Sequence, residues 1–352
     1  VRRSASTGVS PGRDVRRGRP NGFTRPLPRP GMTADAPRRL VVDTDTASDD
    51  AVALLLALQS ERTTVEAVTV VAGNVPFDRQ VENAKYTLSL VDATDVPVHE
   101  GARAPLVKEF EHATDVHGED GLGDVDAPET GVPSAEAHAV DALVDAAREA
   151  PGEVSLLCIG PLTNLALAVA REPDLPDLLD EVWVMGGSLE YRGNVTPAAE
   201  FNFWVDPDAA RRVLREFDVR LVDWGVTVRD STLDGDALDD LTALETDLAD
   251  FFDGLTSHVR AYTREEQGFD GVTQPDSLVA ACLVAPEVRD VVRERYVEVD
   301  EREGLTRGFS LVDPEGTLGE RARTTVVESV DREAFRGMIA SLLAGDAPER
   351  AL

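Results

Sequence analysis

Four aspartates lie within eight residues at the end of the first strongly apolar run of this 352-residue chain: Asp43, Asp45, Asp49 and Asp50. Carboxylates this close together repel one another, and each raises the pKa of its neighbours. A site that keeps them ionised normally binds a hard divalent cation, Ca²⁺ or Mg²⁺, through oxygen ligands. Capping of a helix start would explain one or two of these aspartates, but not four. The segment therefore predicts a metal site.

Short β-rich apolar runs alternate along the chain with longer runs that have apolar residues at helical spacing. The runs predict strands at 40–43, 65–71, 96–99, 154–159, 182–185 and 219–222, and helices at 49–60, 79–91, 135–150, 162–171 and 206–217. This order predicts an α/β fold with an open, mostly parallel, doubly wound (Rossmann-like) sheet and helices on both faces. Ligands of such folds bind at the carboxyl ends of the strands, where the aspartates lie.

The pattern changes after residue 228. It predicts a long acidic helix at 240–265, a loop at 268–276, a further helix, a hairpin at 295–328 and a final helix. No linker separates these segments from the sheet, so we expect residues 38–352 to form a single domain with C-terminal helical and hairpin additions. Residues 1–37 are rich in Arg, Pro, Gly and Ser and lack hydrophobic periodicity. We expect this extension to be disordered, or residues 1–31 to be an annotation artefact in a chain that starts at Met32.

The composition is strongly acidic, with a formal net charge of −31 and lysine only at positions 85 and 108. Such a surface is typical of proteins from a high-salt cytoplasm, so a halophilic, cytoplasmic protein is expected. The negative charge repels nucleic-acid phosphates, and no run of about 18 apolar residues predicts a membrane span. Neither nucleic acid nor membrane is therefore an expected partner. Cys158 and Cys282 have no redox or metal spacing and are predicted to be buried core thiols.

Several blocks of sequence follow the aspartates in a fixed order. Residues 43–51 read Asp-Thr-Asp-Thr-Ala-Ser-Asp-Asp-Ala, and the later blocks are Val-Ala-Gly-Asn at 71–74, His-Gly-Glu-Asp-Gly-Leu-Gly at 117–123, Gly-Pro-Leu-Thr-Asn-Leu-Ala at 160–166, Met-Gly-Gly at 185–187 and Gly-Asn-Val-Thr-Pro-Ala-Ala-Glu-Phe-Asn at 193–202. Together they resemble the inosine–uridine-preferring nucleoside hydrolase family over about residues 40–290. The resemblance implies the nucleoside hydrolase fold and Ca²⁺-dependent hydrolysis of a ribonucleoside to ribose and free base.

The resemblance also implies the residues that bind the metal and carry out the reaction. The Ca²⁺ ligands would be Asp45, Asp50, Asp276 and the backbone carbonyl of Thr163. Asp45 would in addition act as general base on a calcium-bound water. Asn74 would lie near that water, and His117 would lie at the nucleobase.

A second set of residues would bind the ribose, again by resemblance. It comprises Asp49, Asn202 and Asp276 at the 2′- and 3′-hydroxyls, Asn194 and Glu200 at the 5′-hydroxyl, and Phe201 packed on the sugar. Asn164 has no expected catalytic role and is predicted to cap its helix. The transition state would be a ribosyl oxocarbenium ion, which a dense polar lining stabilises.

One position departs from the family in a way that affects catalysis. Pro275 precedes Asp276, where many family members have a histidine that protonates the departing base. Proline has no proton to donate, so leaving-group activation is expected from His117, from His258 or Tyr262, or from protonation of the base ring itself. The preferred base therefore stays open.

Two other functions compete with hydrolysis. The run from Asp43 to Thr46 also matches the start of haloacid-dehalogenase-like phosphatases, with Asp43 as nucleophile and Mg²⁺ as cofactor. That family also needs a downstream lysine, and neither Lys85 nor Lys108 follows a suitable later strand. A calcium- and ribose-binding protein without turnover is the other alternative, because the usual leaving-group acid is absent. Family members commonly form dimers or tetramers, so a homo-oligomer is expected.

Overall fold

The computed structural model describes residues 36–110, 112–123, 125 and 127–352. Residues Pro37–Leu352 form one compact unit. The predicted N-terminal extension, apart from its last two residues, lies outside the described part of the chain. No helix among the described residues is both long and apolar enough to cross a membrane.

Eleven strands and thirteen α-helices are assigned in the described residues. The strands are β1 (Arg38–Thr44), β2 (Thr63–Val70), β3 (Val98–Glu100), β4 (Val154–Cys158), β5 (Val182–Met185), β6 (Val219–Val222), β7 (Leu233–Asp234), β8 (Gly271–Val272), β9 (Arg289–Val299), β10 (Ser310–Asp313) and β11 (Thr324–Val330). The helices are α1 (Ser48–Gln59), α2 (Phe77–Ser89), α3 (Thr114–His117), α4 (Ala139–Glu149), α5 (Thr163–Arg171), α6 (Leu175–Leu178), α7 (Phe201–Val205), α8 (Pro207–Glu216), α9 (Trp224–Asp230), α10 (Gly235–Thr242), α11 (Asp247–Tyr262), α12 (Pro275–Val284) and α13 (Arg332–Leu343).

Nine of these strands form one sheet in the order β10-β9-β11-β6-β5-β4-β1-β2-β3. Strands β1 to β6 and β11 are parallel to one another, and β9 is antiparallel to β11. The first six strands therefore have the 3-2-1-4-5-6 order of a doubly wound sheet, with its switch point between β1 and β4. The predicted fold class is confirmed, and all six predicted strands are present.

The sheet is covered on both faces, because each face carries its own hydrophobic core. One core contains the apolar sides of α1, α2, α12 and α13, and the other contains those of α4, α5 and α8. The central strands are buried on both sides, which explains their nearly continuous apolar sequence. Cys158 and Cys282 are free thiols in these cores, as predicted.

The C-terminal third differs from the sequence prediction in two places. The single long helix predicted at 240–265 is two helices, α10 and α11, and the side chain of Thr246 caps the second by accepting a hydrogen bond from the N–H of Ala249. The predicted hairpin at 295–328 consists of β9 and β10, followed by β11, which lies between β9 and β6. A sequence pattern indicates a strand but not its partner, so the return of β11 to the main sheet was not predicted.

The switch point is stabilised by a buried polar group at the end of β1. The carboxylate of Asp43 accepts hydrogen bonds from Thr69 Oγ1 at 2.5 Å and from Asn164 Nδ2 at 2.8 Å. Asn164 also donates to the Val70 carbonyl and accepts from the N–H of Ala102. The prediction that Asn164 caps its helix is wrong, because its side chain instead joins α5 to β1, to β2 and to the segment after β3.

Replacing Asn164 with alanine should destabilise the sheet at this point. The change leaves the Val70 carbonyl and the Ala102 N–H without their partner, so we expect the free energy of unfolding to fall by about 2–4 kcal/mol. Denaturant unfolding measures this change. Gln267→Ala, at an exposed position, is the control and should stay within about 0.5 kcal/mol of wild type. An Asn164→Ala protein as stable as the control would contradict the assignment.

Candidate active site

Three carboxylates from two helices converge beyond the carboxyl end of β1. Asp49 and Asp50 lie in the first turn of α1, and Asp276 lies in the first turn of α12, which packs against α1. One oxygen atom of each lies within 4.8 Å of the others. Asp50 and Asp276 are buried, and the Asp49 side chain is 13% exposed. The structure therefore brings Asp276 to the aspartate cluster, as the sequence predicts.

Asp45 lies in the loop between β1 and α1 and is completely buried. Its Oδ2 accepts a hydrogen bond from the N–H of Asn74 at 2.8 Å, whereas its Oδ1 has no hydrogen-bond partner. Two glycines make room for this carboxylate: a Cβ on Gly73 would lie 1.9 Å from Oδ2, and one on Gly160 would lie 2.8 Å from Oδ1. The carboxylate is thus held from one side and has an unpaired oxygen on the other.

Asp50 is also fixed by its neighbours. Its Oδ1 accepts from Thr44 Oγ1 at 2.6 Å, and its Oδ2 accepts from the N–H of Ala47 at 3.0 Å. The amide of Asn74 donates to the same Oδ2 at 3.4 Å. Asn74 therefore contacts Asp45 through its backbone and Asp50 through its side chain, so it positions two carboxylates at once.

The electrostatics of this cluster require compensation. Burial raises the pKa of Asp49 and of Asp50 to about 6, and burial together with neighbouring carboxylates raises the pKa of Asp45 and Asp276 well above the usual range. The possible metal ligands in the cluster are all carboxylate oxygens, and Asp45 adds a buried oxygen without a hydrogen-bond partner. Such a set fits a hard divalent cation that would neutralise the repulsion.

His117 lies next to the cluster at the end of α3. Its Nδ1 lies 2.8 Å from Ser48 Oγ and 3.9 Å from Asp49 Oδ1. Burial lowers the pKa of His117 to about 4, and the nearby His258 adds to this effect. The imidazole is therefore neutral at neutral pH. One ring nitrogen can then donate a hydrogen bond, and the other can accept one.

Of the residues predicted to bind ribose, Asp49 and Asp276 belong to the carboxylate cluster, and the others lie at and before α7. Asn194 Oδ1 accepts from the N–H of Phe201 at 2.9 Å, and Asn202 Nδ2 donates to the Ile159 carbonyl at 2.9 Å. Glu200 caps α7: one carboxylate oxygen accepts from the N–H of Asn202, and the other accepts from the N–H groups of Gly187 and Phe203. Burial outweighs these bonds and raises the pKa of Glu200 to about 7.

Thr163, predicted to offer its carbonyl to the metal, begins α5, and its hydroxyl donates to Asp206 at 2.7 Å. In the same segment, Gly160 lies close to Asp45, since a Cβ added to it would lie 2.8 Å from Asp45 Oδ1. A role for the Thr163 carbonyl stays a prediction.

Sequence reasoning missed two buried amides of α2 that support the site. Gln80 Nε2 donates to the Asp45 carbonyl at 3.0 Å, and Asn83 Nδ2 donates to the Thr46 carbonyl at 3.1 Å. Both side chains are almost completely buried. A signal for them exists in the sequence, because they are polar residues three apart on an amphipathic helix that packs into the core.

Comparison with solved structures identifies the class of protein to which this fold and site belong. A plant nucleoside hydrolase superposes with a TM-score of 0.82 at 28% identity, covering 88% of this chain and 99% of its own. A purine-preferring ribonucleoside hydrolase from Gardnerella vaginalis gives 0.81 at 27% identity, covering 89% and 100%. The architecture is therefore that of the nucleoside hydrolases, which act on N-glycosyl bonds.

The amino-acid sequence leads to the same class and makes it more specific. The family model of the inosine-uridine preferring nucleoside hydrolases matches residues 40–337. The pyrimidine-specific ribonucleoside hydrolase RihA of Klebsiella pneumoniae subsp. pneumoniae is 36% identical over 313 residues, which cover 87% of this chain and 98% of that protein. This chain belongs to the inosine–uridine preferring nucleoside hydrolase family.

Added Ca²⁺ should stabilise the protein at pH 8 much more than at pH 5. The folded-state pKa values of Asp49 and Asp50 are raised from 3.8 to about 6, so these groups contribute stability at low pH that is lost as the pH rises through about 6. A cation compensates that loss only where the carboxylates are ionised. Melting temperatures at both pH values, with and without CaCl₂ at constant ionic strength, measure the difference. An equal shift at both pH values would contradict the expectation.

Proposed function

We propose that this protein hydrolyses the N-glycosidic bond of a ribonucleoside to ribose and free base, with Ca²⁺ as its cofactor. The observation that carries the proposal is the convergence of Asp49, Asp50 and Asp276 beside Asp45. The Asp45 carboxylate is buried, and its Oδ1 has no hydrogen-bond partner. Membership of the nucleoside hydrolase family supports the reaction and favours it over the phosphatase alternative. The donor set, hard oxygens only, supports Ca²⁺.

Asp45, Asp50 and Asp276 would hold the cation, with a backbone carbonyl, predicted as that of Thr163, completing the protein ligands. When bound, the cation supplies Lewis acidity that lowers the pKa of a coordinated water. Asp45 would act as the general base, since its Oδ1 is unpaired while its Oδ2 is held by the Asn74 N–H. The water oxygen forms a bond to C1′, its proton passes to Asp45, and the electron pair of the C1′–N bond leaves with the base.

Polar groups around the sugar would stabilise the positive charge that develops on the ribose ring. Asp49, Asn202 and Asp276 are proposed to bind the 2′- and 3′-hydroxyls, and Asn194 with Glu200 the 5′-hydroxyl, while Phe201 packs on the sugar. Glu200 already accepts three backbone N–H groups, so its further part is to orient α7, which carries Asn202. Hydrogen bonds that strengthen in the transition state, and negative charge close to the ribose ring, lower the activation barrier of hydrolysis.

The departing base needs a hydrogen-bonding or acidic group. With a pKa of about 4, His117 carries no extra proton at neutral pH, which favours a role in hydrogen bonding to the base over a role as proton donor. His258 and Tyr262, on α11, remain the candidates for proton transfer. Pro275 begins α12 as its first residue, where its fixed backbone angle suits a helix start and Asp276 follows in the first turn.

The preferred base is an open part of the proposal. One relative is named for pyrimidine nucleosides, and one structural neighbour is named for purine nucleosides. A reducing-sugar assay with inosine, adenosine, guanosine, uridine and cytidine, in high salt with Ca²⁺, covers both groups. Release of ribose from none of them would contradict the hydrolase and favour the alternative of a binding protein without turnover.

Asp45→Asn should abolish turnover while leaving the fold intact. The amide keeps the size of the side chain but cannot take a proton, so we expect kcat to fall by about 100-fold or more on the best nucleoside of the panel. The matched control is Asp313→Asn, which changes a buried carboxylate in β10 that binds the turn at 317–318. Circular dichroism checks folding in both. If Asp45→Asn and the control kept similar kcat values, Asp45 would not be the base.

The expected homo-oligomer and the cytoplasmic location belong to this proposal as well. Light scattering coupled to size-exclusion chromatography, in the same high-salt buffer, measures the oligomeric state of the protein used in the assays.

A further inference from the structure

Helix α2 presents two buried amide side chains to the loops that carry the candidate active-site residues. Gln80 and Asn83 are three residues apart and therefore lie on one face of the helix. Their exposed fractions are 0% and 5%, although both side chains are polar. Apolar neighbours on α2, including Val81, Ala84 and Leu88, pack into the core and fix the helix in place. The two amides thus extend from a rigid support.

Asn83 contacts two loops with a single NH₂ group. Its Nδ2 donates to the Thr46 carbonyl at 3.1 Å and to the Asp120 carbonyl at 2.8 Å. Thr46 follows Asp45 in the loop after β1, and Asp120 lies in the loop that follows His117. Because an amide nitrogen has two hydrogens, both donors of Asn83 are used in joining these loops.

The packing around Asn83 leaves little room for another arrangement. A Cβ on Gly121 would lie 2.9 Å from Asn83 Nδ2, and Gly121 has φ +83°, a conformation that favours glycine. The helices next to these two loops also meet directly, because Ser48 Oγ at the start of α1 lies 2.8 Å from His117 Nδ1 at the end of α3. Asn83 is therefore a second connection between them, made from a separate helix.

We propose that Asn83 is a positioning residue that sets the distance between His117 and the aspartate loop, with Gln80 holding the Asp45 end of that loop. This inference rests on the proposed function for its kinetic consequence, but its structural part does not. The Asn83 amide donates to two backbone carbonyls and not to the carboxylates of the cluster. It acts through two backbone carbonyls, so its loss changes the geometry of groups that it does not itself contact.

Two substitutions separate hydrogen bonding from packing. Asn83→Ala removes the amide and its volume, whereas Asn83→Leu keeps a similar volume and removes both donors. If the donors matter, both variants should show faster hydrogen–deuterium exchange in peptides that cover 44–50 and 117–123. Both should also lower kcat by about 10- to 100-fold, since small misplacements of catalytic groups cost that much. The fold and KM should change little.

Glu82→Gln is the matched control on the same helix. It removes the ion pair of Glu82 with Lys85 without touching either loop, so exchange and kcat should stay at wild-type values. Unchanged exchange in the Asn83 variants, or recovery of kcat in Asn83→Leu, would overturn the inference. The wild-type protein could release ribose from no nucleoside while the Asn83 variants still showed faster exchange in both loops. The positioning role would then stand, and the proposed function would fail.

Discussion

Repulsion among carboxylates at the switch point of the sheet is the constraint around which the rest of the structure is arranged. Asp45, Asp50 and Asp276 are withdrawn from water, and Asp49 is nearly so, although ionised groups are costly to bury without compensation. The protein supplies part of that compensation through the Asn74 N–H, the Ala47 N–H and the Thr44 hydroxyl. These donors do not balance four negative charges. A cation bound at the cluster would supply the remainder and would therefore also stabilise this region of the fold.

The sequence was enough to predict the main sheet and the location of the cluster. The aspartates are adjacent in the chain, and their position between an apolar run and a helical pattern places them at a strand end. The first six strands follow from the alternation of apolar runs, because all of them except β3, at one edge, lie inside the sheet and have apolar neighbours on both faces. The partner of β11 could not be predicted, since pairing depends on which edge of the sheet stays open.

The supporting residues were harder to predict than the acidic ones. Asn164 has the sequence context of a helix cap, yet its side chain points into the core and binds Asp43 and two backbone groups. Gln80 and Asn83 belong to a helix without any motif of its own, and their partners are backbone carbonyls, which are present in every residue. Two polar residues three apart on an amphipathic helix could have indicated a buried role, but residue types do not indicate which carbonyls they bind. The contacts of Gln80 and Asn83 with the loops depend on how α2 packs in the fold.

The separation of Asp276 from the other aspartates along the chain has a consequence for how the protein is made. A ribosome releases α1 long before α12, so for most of synthesis the first carboxylates exist without the helix that closes the cluster. The site is complete only when α12 docks against α1, near the end of the chain. Cation binding at the complete cluster would therefore be a late event, and a chain truncated before α12 would lack it. Binding of the ion would show that synthesis has passed α12, although β9, β10, β11 and α13 are still to follow.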